Sequence, residues 1–134
     1  MRYAAVDDVG RAINPQLIDG QIHGGIAQGA GQALLELCYY QPETGQLLSG
    51  SLMDYAMPRA DDFPFFNTSI SEVPATTHPL GIRPAGESGI TPALGAVVNA
   101  VVDALAEYGV KHIEMPTTPE RVWRAIRGAG AAAP

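Results

Sequence analysis

The stretch GQIHGGIAQG, residues 20–29, lies within the predicted first helix of the chain. Asn14-Pro15 predicts where this helix begins, because Asn caps free backbone N–H groups and Pro is favoured at the first helical position. We expect the helix to run to about Leu37. Apolar residues at spacings of three and four predict its buried stripe: Ile22, Ile26, Ala30, Ala33, Leu34 and Leu37. The opposite stripe is uncharged and amide-bearing: Gln21, Gly25, Gln28 and Gln32.

The glycines of this helix require an explanation, because each Gly in a helix interior costs about 1 kcal/mol relative to Ala. Two explanations stay open: another helix packs closely, or a flat ligand bound by the glutamines approaches the backbone. Spacing alone favours close packing. A phosphate loop is excluded, since Gly24 and Gly29 are followed by Ala30-Gly31 where Lys-Ser/Thr is required.

Outside this helix, strands and helices alternate, which predicts a mixed α+β fold with a short mixed sheet and three helices. The predicted strands are residues 3–6, 65–73 and 110–115, and a hairpin is predicted around residues 38–48. The partner of the first strand is expected upstream of Met1. Thr91-Pro92 predicts a second helix ending at Gly109, and Thr118-Pro119 a third. Residues 1–127 are assigned to one domain and 128–134 to a disordered tail.

Composition restricts the function further. Eight Lys+Arg against fourteen Asp+Glu give a net charge of −6, so a nucleic-acid partner is not expected. Charged residues make up 16% of the chain, against roughly 25% in typical soluble domains, which predicts that other protein covers part of the surface. The single cysteine, Cys38, indicates a reducing, cytoplasmic setting. The longest apolar stretch, Ala93–Ala106, is too short to span a membrane.

A second candidate site is GIRPAGESG, residues 81–89, where Glu87 stands among small residues just before the second helix. The helix dipole favours an ionised carboxylate there, whereas burial would favour the protonated form. Glu87 is therefore either a general base near a substrate pocket or a helix cap. The histidines, His23, His78 and His112, have no pairing at four-residue spacing, so a protein-ligated metal is not expected. His78 is read as a loop residue, His112 as a strand residue and His23 as a packing residue.

Three segments together resemble one family. They are residues 5–15 (AVDDVGRAINP), residues 20–29 (GQIHGGIAQG) and residues 86–104, the last of which begin with GESG. Their order and spacing match the end of the large subunit of the molybdenum hydroxylases. This family includes xanthine dehydrogenase, aldehyde oxidase and the carbon monoxide dehydrogenase large subunit. The resemblance spans about residues 3–126 and indicates the C-terminal part of a molybdopterin-binding domain.

The resemblance implies roles for individual residues. Glu87 matches the general base, which takes a proton from a molybdenum-bound hydroxyl so that its water-derived oxygen attacks an aldehyde, N-heterocycle or similar small substrate. The residues implied to bind the cofactor, molybdopterin cytosine dinucleotide, are Gln21, Gly20, Gly24, Gly25, Gln28 and Gly86. The cofactor's own dithiolene would hold the metal, with no metal ligand from the protein. Electrons would leave through 2Fe-2S clusters and FAD on partner subunits or domains.

Two features depart from the family pattern. Many members carry Lys-Gly-x-Gly-Glu where this chain has Arg83-Pro84-Ala85-Gly86-Glu87, and Pro84 reduces backbone freedom before Glu87. The family subunit is also several times longer, so we expect a truncated reading frame or a split subunit, inactive as an isolated fragment. The alternative is a truncated, non-catalytic assembly or interaction module with the same fold.

Overall fold

The computed structural model describes residues 2–131, and its fold is the predicted mixed α+β class. It contains a two-stranded parallel sheet, three α-helices and two short 3-10 turns, at Ala60–Asp62 and Ala106–Tyr108. The strands and helices are β1 (Tyr3–Asp8), α1 (Pro15–Leu34), β2 (Phe66–Ser71), α2 (Ile90–Ala104) and α3 (Pro119–Ala131). The chain forms two compact units, Met1–Gly29 with Arg59–Ala93, and Ala30–Pro58 with Leu94–Pro134.

The sheet lies in the first unit, and its pairing corrects one expectation. β1 pairs with β2 in parallel, in a register from Tyr3 opposite Phe66 to Asp8 opposite Ser71. The partner of β1 is thus a strand some sixty residues later in this chain. The prediction had expected that partner upstream of Met1. Both predicted segments contain a strand, but β1 continues through Asp7 and Asp8, beyond the predicted end at residue 6. Strand pairing is non-local, and a single strand's pattern does not reveal its partner.

The core of the first unit forms where α1 covers the sheet. Ile22 and Ile26 are fully buried and pack with Phe66. Burying such a side chain contributes about 1.5–3 kcal/mol. The predicted start of α1 is confirmed, since the Asn14 side-chain oxygen accepts the Leu17 N–H at 3.1 Å.

The second unit contains two further corrections. α1 ends at Leu34, short of Leu37, because the Leu35 and Glu36 N–H groups both donate to the Gly31 carbonyl at 2.9 Å and close the last turn. Residues 110–115 form no strand, so His112 is an exposed loop residue. The carbonyls of residues 114–116 accept instead from Arg121 Nη1, at 2.7 Å for Met115.

The second helix also ends earlier than the predicted Gly109: α2 stops at Ala104, and a separate 3-10 turn, Ala106–Tyr108, leads to Gly109. The hairpin is present around a single antiparallel bridge between Tyr40 and Leu47. Residues 128–131 continue α3 and are not tail, because alanines offset the helix cost of the glycines there and Ala129 is half-buried. Residues 132–134 lie outside the described residues. No helix within residues 2–131 is long and apolar enough to cross a membrane.

Candidate functional site

Glu87 lies in a turn that we call the Glu87 turn, Gly86–Gly89, directly before α2. Its side chain is exposed in this chain, so the described residues do not supply the burial considered above. Its backbone carbonyl accepts the Thr91 N–H at 3.2 Å. Within residues 2–131 its carboxylate makes no hydrogen bond or ion pair, whereas Ser88 Oγ donates to the Ala85 carbonyl at 2.7 Å. The side chain of Glu87 does not cap α2, and its carboxylate is free to act on a ligand.

The Glu87 turn packs directly on α1 through glycines. A Cβ added to Gly25 would lie 2.9 Å from the Ile90 nitrogen and 3.0 Å from the Gly89 Cα. A Cβ added to Gly89 would lie 2.9 Å from the Ile26 nitrogen and would collide with the Ile22 carbonyl. Real Cβ atoms do not approach backbone this closely. Gly25 and Gly89 are therefore explained by close packing, and they bring both sequence motifs into one unit.

Gly29 belongs to the same packing surface. A Cβ at Gly29 would lie 2.7 Å from the Ile90 carbonyl oxygen and 2.8 Å from the Ala93 Cβ. The first turn of α2 is thereby held against α1 on the face that carries Gly25. The explanation by close packing therefore holds for these glycines.

Gly31 is buried and also closely packed, with Pro58 Cγ 2.6 Å from an added Cβ, but Gly20 and Gly24 need a different explanation. A Cβ at Gly20 or Gly24 would have no atom within 4 Å, and both residues are exposed. Gln21 and Gln28 are exposed as well, and at about 100° per residue these four positions share one side of the helix. We call Gly20, Gln21, Gly24 and Gln28 the open face of α1. Gly86 in the Glu87 turn is likewise exposed, with nothing within 4 Å of an added Cβ.

The open face has the properties that a flat, polar ligand requires. Glycine lets such a ligand approach the helix backbone, and each glutamine amide can both donate and accept hydrogen bonds. Gly25 does not share this property, because Gly89 and Ile90 fill the space beside it. Of the residues assigned to a cofactor from the sequence, Gly25 is therefore packed against other residues, whereas the open face and Gly86 are exposed.

His23 is a packing residue, as its interpretation from the sequence favoured. Thr68 Oγ1 donates its single hydrogen to Asp19 Oδ1 at 2.7 Å. The same hydroxyl oxygen therefore accepts a hydrogen bond from His23 Nε2 at 3.0 Å. The imidazole also meets the rings of Phe65 and Phe66 edge-on, at centroid distances of 6.1 and 5.5 Å. Within residues 2–131, no three His, Cys, Asp or Glu side chains cluster as metal ligands would.

Sequence reasoning missed one pair of residues near the site, Asp8 and Arg83. The strand predicted at residues 3–6 stops before Asp8, and Arg83 is predicted only as a departure from the family pattern, but Arg83 Nε lies 3.1 Å from Asp8 Oδ2. Backbone N–H groups of Gly10 and Val73, and to a smaller extent Arg83, lower the pKa of Asp8. The only signal in the sequence for this pair is that the two residues carry opposite charges. They are seventy-odd positions apart along the chain.

Comparison with known proteins places these features in a family. The pattern described as "Molybdopterin cofactor-binding domain" matches residues 1–64. The carbon monoxide dehydrogenase large chain of Hydrogenophaga pseudoflava is 39% identical over 94% of this chain and 16% of that one. The nicotine 6-hydroxylase large subunit of Paenarthrobacter nicotinovorans is 42% identical over 92% of this chain and 15% of its own length.

A solved structure agrees in fold as well as in sequence. Quinoline 2-oxidoreductase from Pseudomonas putida 86 superposes with a TM-score of 0.88 and 46% identity, over 92% of this chain and 16% of that one. The chain therefore spans about one sixth of the relatives that it matches, and the match covers both the open face of α1 and the Glu87 turn.

Proposed function

Because the chain belongs to the molybdenum hydroxylase family, as part of its molybdopterin-binding domain, we propose that it contributes to the active site of an oxidoreductase. The reaction that we propose is hydroxylation of an aldehyde, N-heterocycle or similar small substrate with oxygen derived from water. Since the chain spans 16% of such a relative, the activity belongs to the assembled enzyme and the isolated chain is expected to be inactive. The observation that supports the proposal most is the seating of the Glu87 turn on α1 by Gly25 and Gly89.

The open face of α1 fits a molybdopterin cofactor. We assign Gln21 as a hydrogen-bonding partner of the cofactor, with Gln28 as a second amide. Gly20 and Gly24 would let the cofactor approach the helix backbone, since nothing in the chain lies within 4 Å of their added Cβ atoms. Gly86, equally open, would border the same ligand from the Glu87 turn. When bound, as the cytosine dinucleotide form that we propose, the cofactor supplies two-electron redox chemistry at a molybdenum that it holds itself.

Glu87 is the residue to which we assign proton transfer. Its carboxylate has no partner within residues 2–131, so it is available to accept a proton. We assign it the proton that the water-derived oxygen releases while it bonds to the electron-poor carbon of the substrate; the hydrogen that this carbon loses would leave with its two bonding electrons, which would pass to the bound cofactor. A general base of this kind contributes about 10²–10⁴-fold, provided that its position is fixed. Packing of Gly89 against α1 fixes one end of its turn.

Partner groups complete the proposal. Both relatives named above are a "large chain" or "large subunit", which supports assembly with further subunits. We assign 2Fe-2S clusters and FAD to those partners, as the route by which electrons leave the site, and a cytoplasmic location to the complex.

The test of the proposed function is Glu87→Gln in the assembled enzyme. We expect turnover to fall by about 10²–10⁴-fold or more, because the amide cannot accept the proton, while molybdenum content stays unchanged. Glu107→Gln, at an exposed glutamate of the second unit, is the matched control and should leave both quantities unchanged. Near-normal turnover of Glu87→Gln would remove Glu87 from catalysis.

The alternative, a non-catalytic interaction module, has one observation in its favour. Apolar side chains in the second unit are unusually exposed, Met53 by 93% and Leu52 by 77%. Exposed apolar surface of this kind marks interaction sites. An assembled complex that turns over substrate normally with Glu87→Gln, but fails to form with Leu52→Ser and Met53→Ser, would favour this alternative.

A further inference from the structure

The loop that leads into the Glu87 turn is fastened to the end of β1 by one carboxylate and one guanidinium. Asp8 Oδ1 accepts the N–H groups of Gly10 at 2.9 Å and Val73 at 3.1 Å. Its other oxygen, Oδ2, pairs with Arg83 Nε at 3.1 Å. The same Nε donates to the Val73 carbonyl at 3.1 Å. Asp8 and Arg83 therefore hold together the residues that follow β1, the residues that follow β2, and the start of the loop to Glu87.

Backbone contacts reinforce this connection. The Arg83 N–H donates to the Val9 carbonyl at 2.9 Å, and the Arg11 N–H donates to the Gly81 carbonyl at 2.8 Å. Gly10 and Gly81 have φ of +62° and +67°, which L side chains rarely adopt. A Cβ at Gly10 would also lie 2.9 Å from the Arg83 nitrogen. The backbone at Gly10 and Gly81 therefore has little room for other side chains.

The Glu87 turn is thus anchored at both ends over a short span. Arg83 is fastened to β1, and Gly89 is wedged against α1 at Gly25. Only five residues lie between these anchors. Pro84 fixes its own φ within that span, and Ser88 closes back on the Ala85 carbonyl.

We propose that Asp8 and Arg83 are positioning residues for Glu87, which extends the function proposed above and rests on it. The two side chains do not touch a substrate. They fix the loop so that the Glu87 carboxylate stays where it can accept the proton. The Arg83-Pro84 sequence, a departure from the family's Lys-Gly, then has a structural meaning: a planar guanidinium and a fixed φ both restrict the approach to Glu87.

The effect should fall on position more than on stability. The side chains of Arg83 and Asp8 are 42% and 38% exposed, and solvent-exposed ion pairs contribute little to folding. Asp8 also keeps its bonds to the Gly10 and Val73 N–H groups when Arg83 is replaced. Loss of the guanidinium therefore removes one anchor of the loop, while its backbone bonds and the carboxylate that supports the end of β1 remain.

The first measurement is hydrogen exchange of the full chain carrying Arg83→Met. We expect amides of residues 82–91 to exchange about tenfold faster, because a segment that loses one anchor opens locally more often. Peptides of α1 should be unchanged. Arg83→Lys should restore most of the protection. Arg124→Met is the matched control, since it removes an exposed ion pair with Glu120 at 2.6 Å in α3.

The second measurement is steady-state kinetics of the assembled enzyme with the same variants. Arg83→Met should lower kcat about 10²-fold, the loss expected from misplacing a catalytic group by an ångström, with molybdenum content unchanged and KM within about threefold. Arg83→Lys should recover most of kcat, and Arg124→Met should match the parent enzyme.

The outcomes separate the two proposals. Unchanged exchange in Arg83→Met overturns the positioning role, and so does faster exchange with normal kcat in an enzyme that Glu87→Gln inactivates. If Glu87→Gln leaves turnover normal, the proposed function fails, and the positioning role falls with it. Faster exchange, reduced kcat and rescue by Arg83→Lys, together with an inactive Glu87→Gln, support both.

Discussion

Two adjacent glycines of α1 should respond to the same substitution in opposite directions. Gly24 and Gly25 are both in the helix interior, so replacing either with Ala gains about 1 kcal/mol of helix propensity. They differ in what an added methyl meets. At Gly24 nothing lies within 4 Å, whereas at Gly25 the Ile90 nitrogen is 2.9 Å away and the Gly89 Cα 3.0 Å. The pair isolates the packing contact that seats the Glu87 turn.

The magnitudes follow from these distances. Gly24→Ala should stabilise the chain by about 0.5–1 kcal/mol, since its methyl has no steric cost. At Gly25 the neighbours are backbone atoms, which cannot rotate away, and overpacking of this kind costs about 1–3 kcal/mol. Gly25→Ala should therefore range from neutral to about 2 kcal/mol destabilising, so that the two variants differ by about 1–3 kcal/mol.

Urea unfolding followed by far-ultraviolet circular dichroism would measure this difference. With an m-value of about 1–3 kcal/mol/M, a gap of ~2 kcal/mol separates the two midpoints by roughly 1 M. Gly89→Ala, which places its methyl against the Ile22 carbonyl, should lower the midpoint like Gly25→Ala or further. Equal midpoints for Gly24→Ala and Gly25→Ala would refute the close contact between α1 and the Glu87 turn.

The same pair links stability to cofactor binding. In the assembled enzyme, Gly24→Ala should reduce molybdenum content although it stabilises the chain, because its methyl occupies the open face of α1. Loss of cofactor from a more stable protein cannot be attributed to misfolding. Full molybdenum content in Gly24→Ala would contradict the assignment of the open face to the cofactor.

Three further substitutions test the titratable groups. Burial raises the pKa of Asp7 above 3.8, so stability should fall as pH rises from that value, and Asp7→Asn should be the more stable chain at neutral pH. The pKa of the adjacent Asp8 shifts in the opposite direction, because hydrogen bonds, first from the Gly10 N–H, lower it. The stabilisation from Asp8 is therefore present above pH 3.8 and is lost as the pH falls through the lowered pKa. Urea midpoints measured against pH should show a flatter acid limb for Asp8→Asn, and matching profiles for the two variants would exclude this difference. A hydrogen bond to Glu36 raises the pKa of Tyr55 to about 12, so its stabilisation is present below pH 10 and is lost between pH 10 and about 12. Phenolate absorbance should therefore contain a step near pH 12 that Tyr55→Phe abolishes; a step unchanged by Tyr55→Phe would argue against the bond.

The helices could be predicted because their start signals are local. Asn14 and Thr118 lie directly before α1 and α3, whose first residues are Pro15 and Pro119, and the Asn14 side chain makes the predicted cap at 3.1 Å. The ends depend on more than local sequence. α1 stops at Leu34 because two successive N–H groups share the Gly31 carbonyl, a geometry that apolar periodicity does not encode.

The incorrectly predicted strand has a comparable cause. Val110–Met115 has the composition of a strand, but a strand needs a neighbour whose N–H groups and carbonyls face its own. The carbonyls that would have joined a sheet are bonded by a side chain, with Arg121 Nη1 2.7 Å from the Met115 oxygen. Whether these carbonyls bond to the Arg121 side chain, six residues after Met115, or to a strand partner cannot be decided from the segment itself.

For the candidate site, the sequence predicts which residues matter but not how they are held. Glu87 and Gln21 come from resemblance in register, and their roles stay predictions. The contacts that unite them, Gly25 with Gly89 and Asp8 with Arg83, join residues more than sixty positions apart. Neither residue of these pairs indicates its partner. A glycine has no side chain that could be matched to another residue, and an aspartate could pair with any of several basic residues in the chain.

The glycines of the first motif thus perform two separable tasks, which explains why their summed helix cost is tolerated. Gly25 gives up about 1 kcal/mol of helix propensity so that Gly89 can reach the backbone of α1, which sets the position of Glu87. Gly20 and Gly24 gain no contact in return within residues 2–131. Their helix cost is consistent with the proposed cofactor site, because a ligand bound on the open face beside Gln21 would use the space that these two glycines leave. In the proposed site, the Glu87 turn packs on the same helix that carries the open face, so a shift of α1 would move the proposed base and the proposed cofactor surface together.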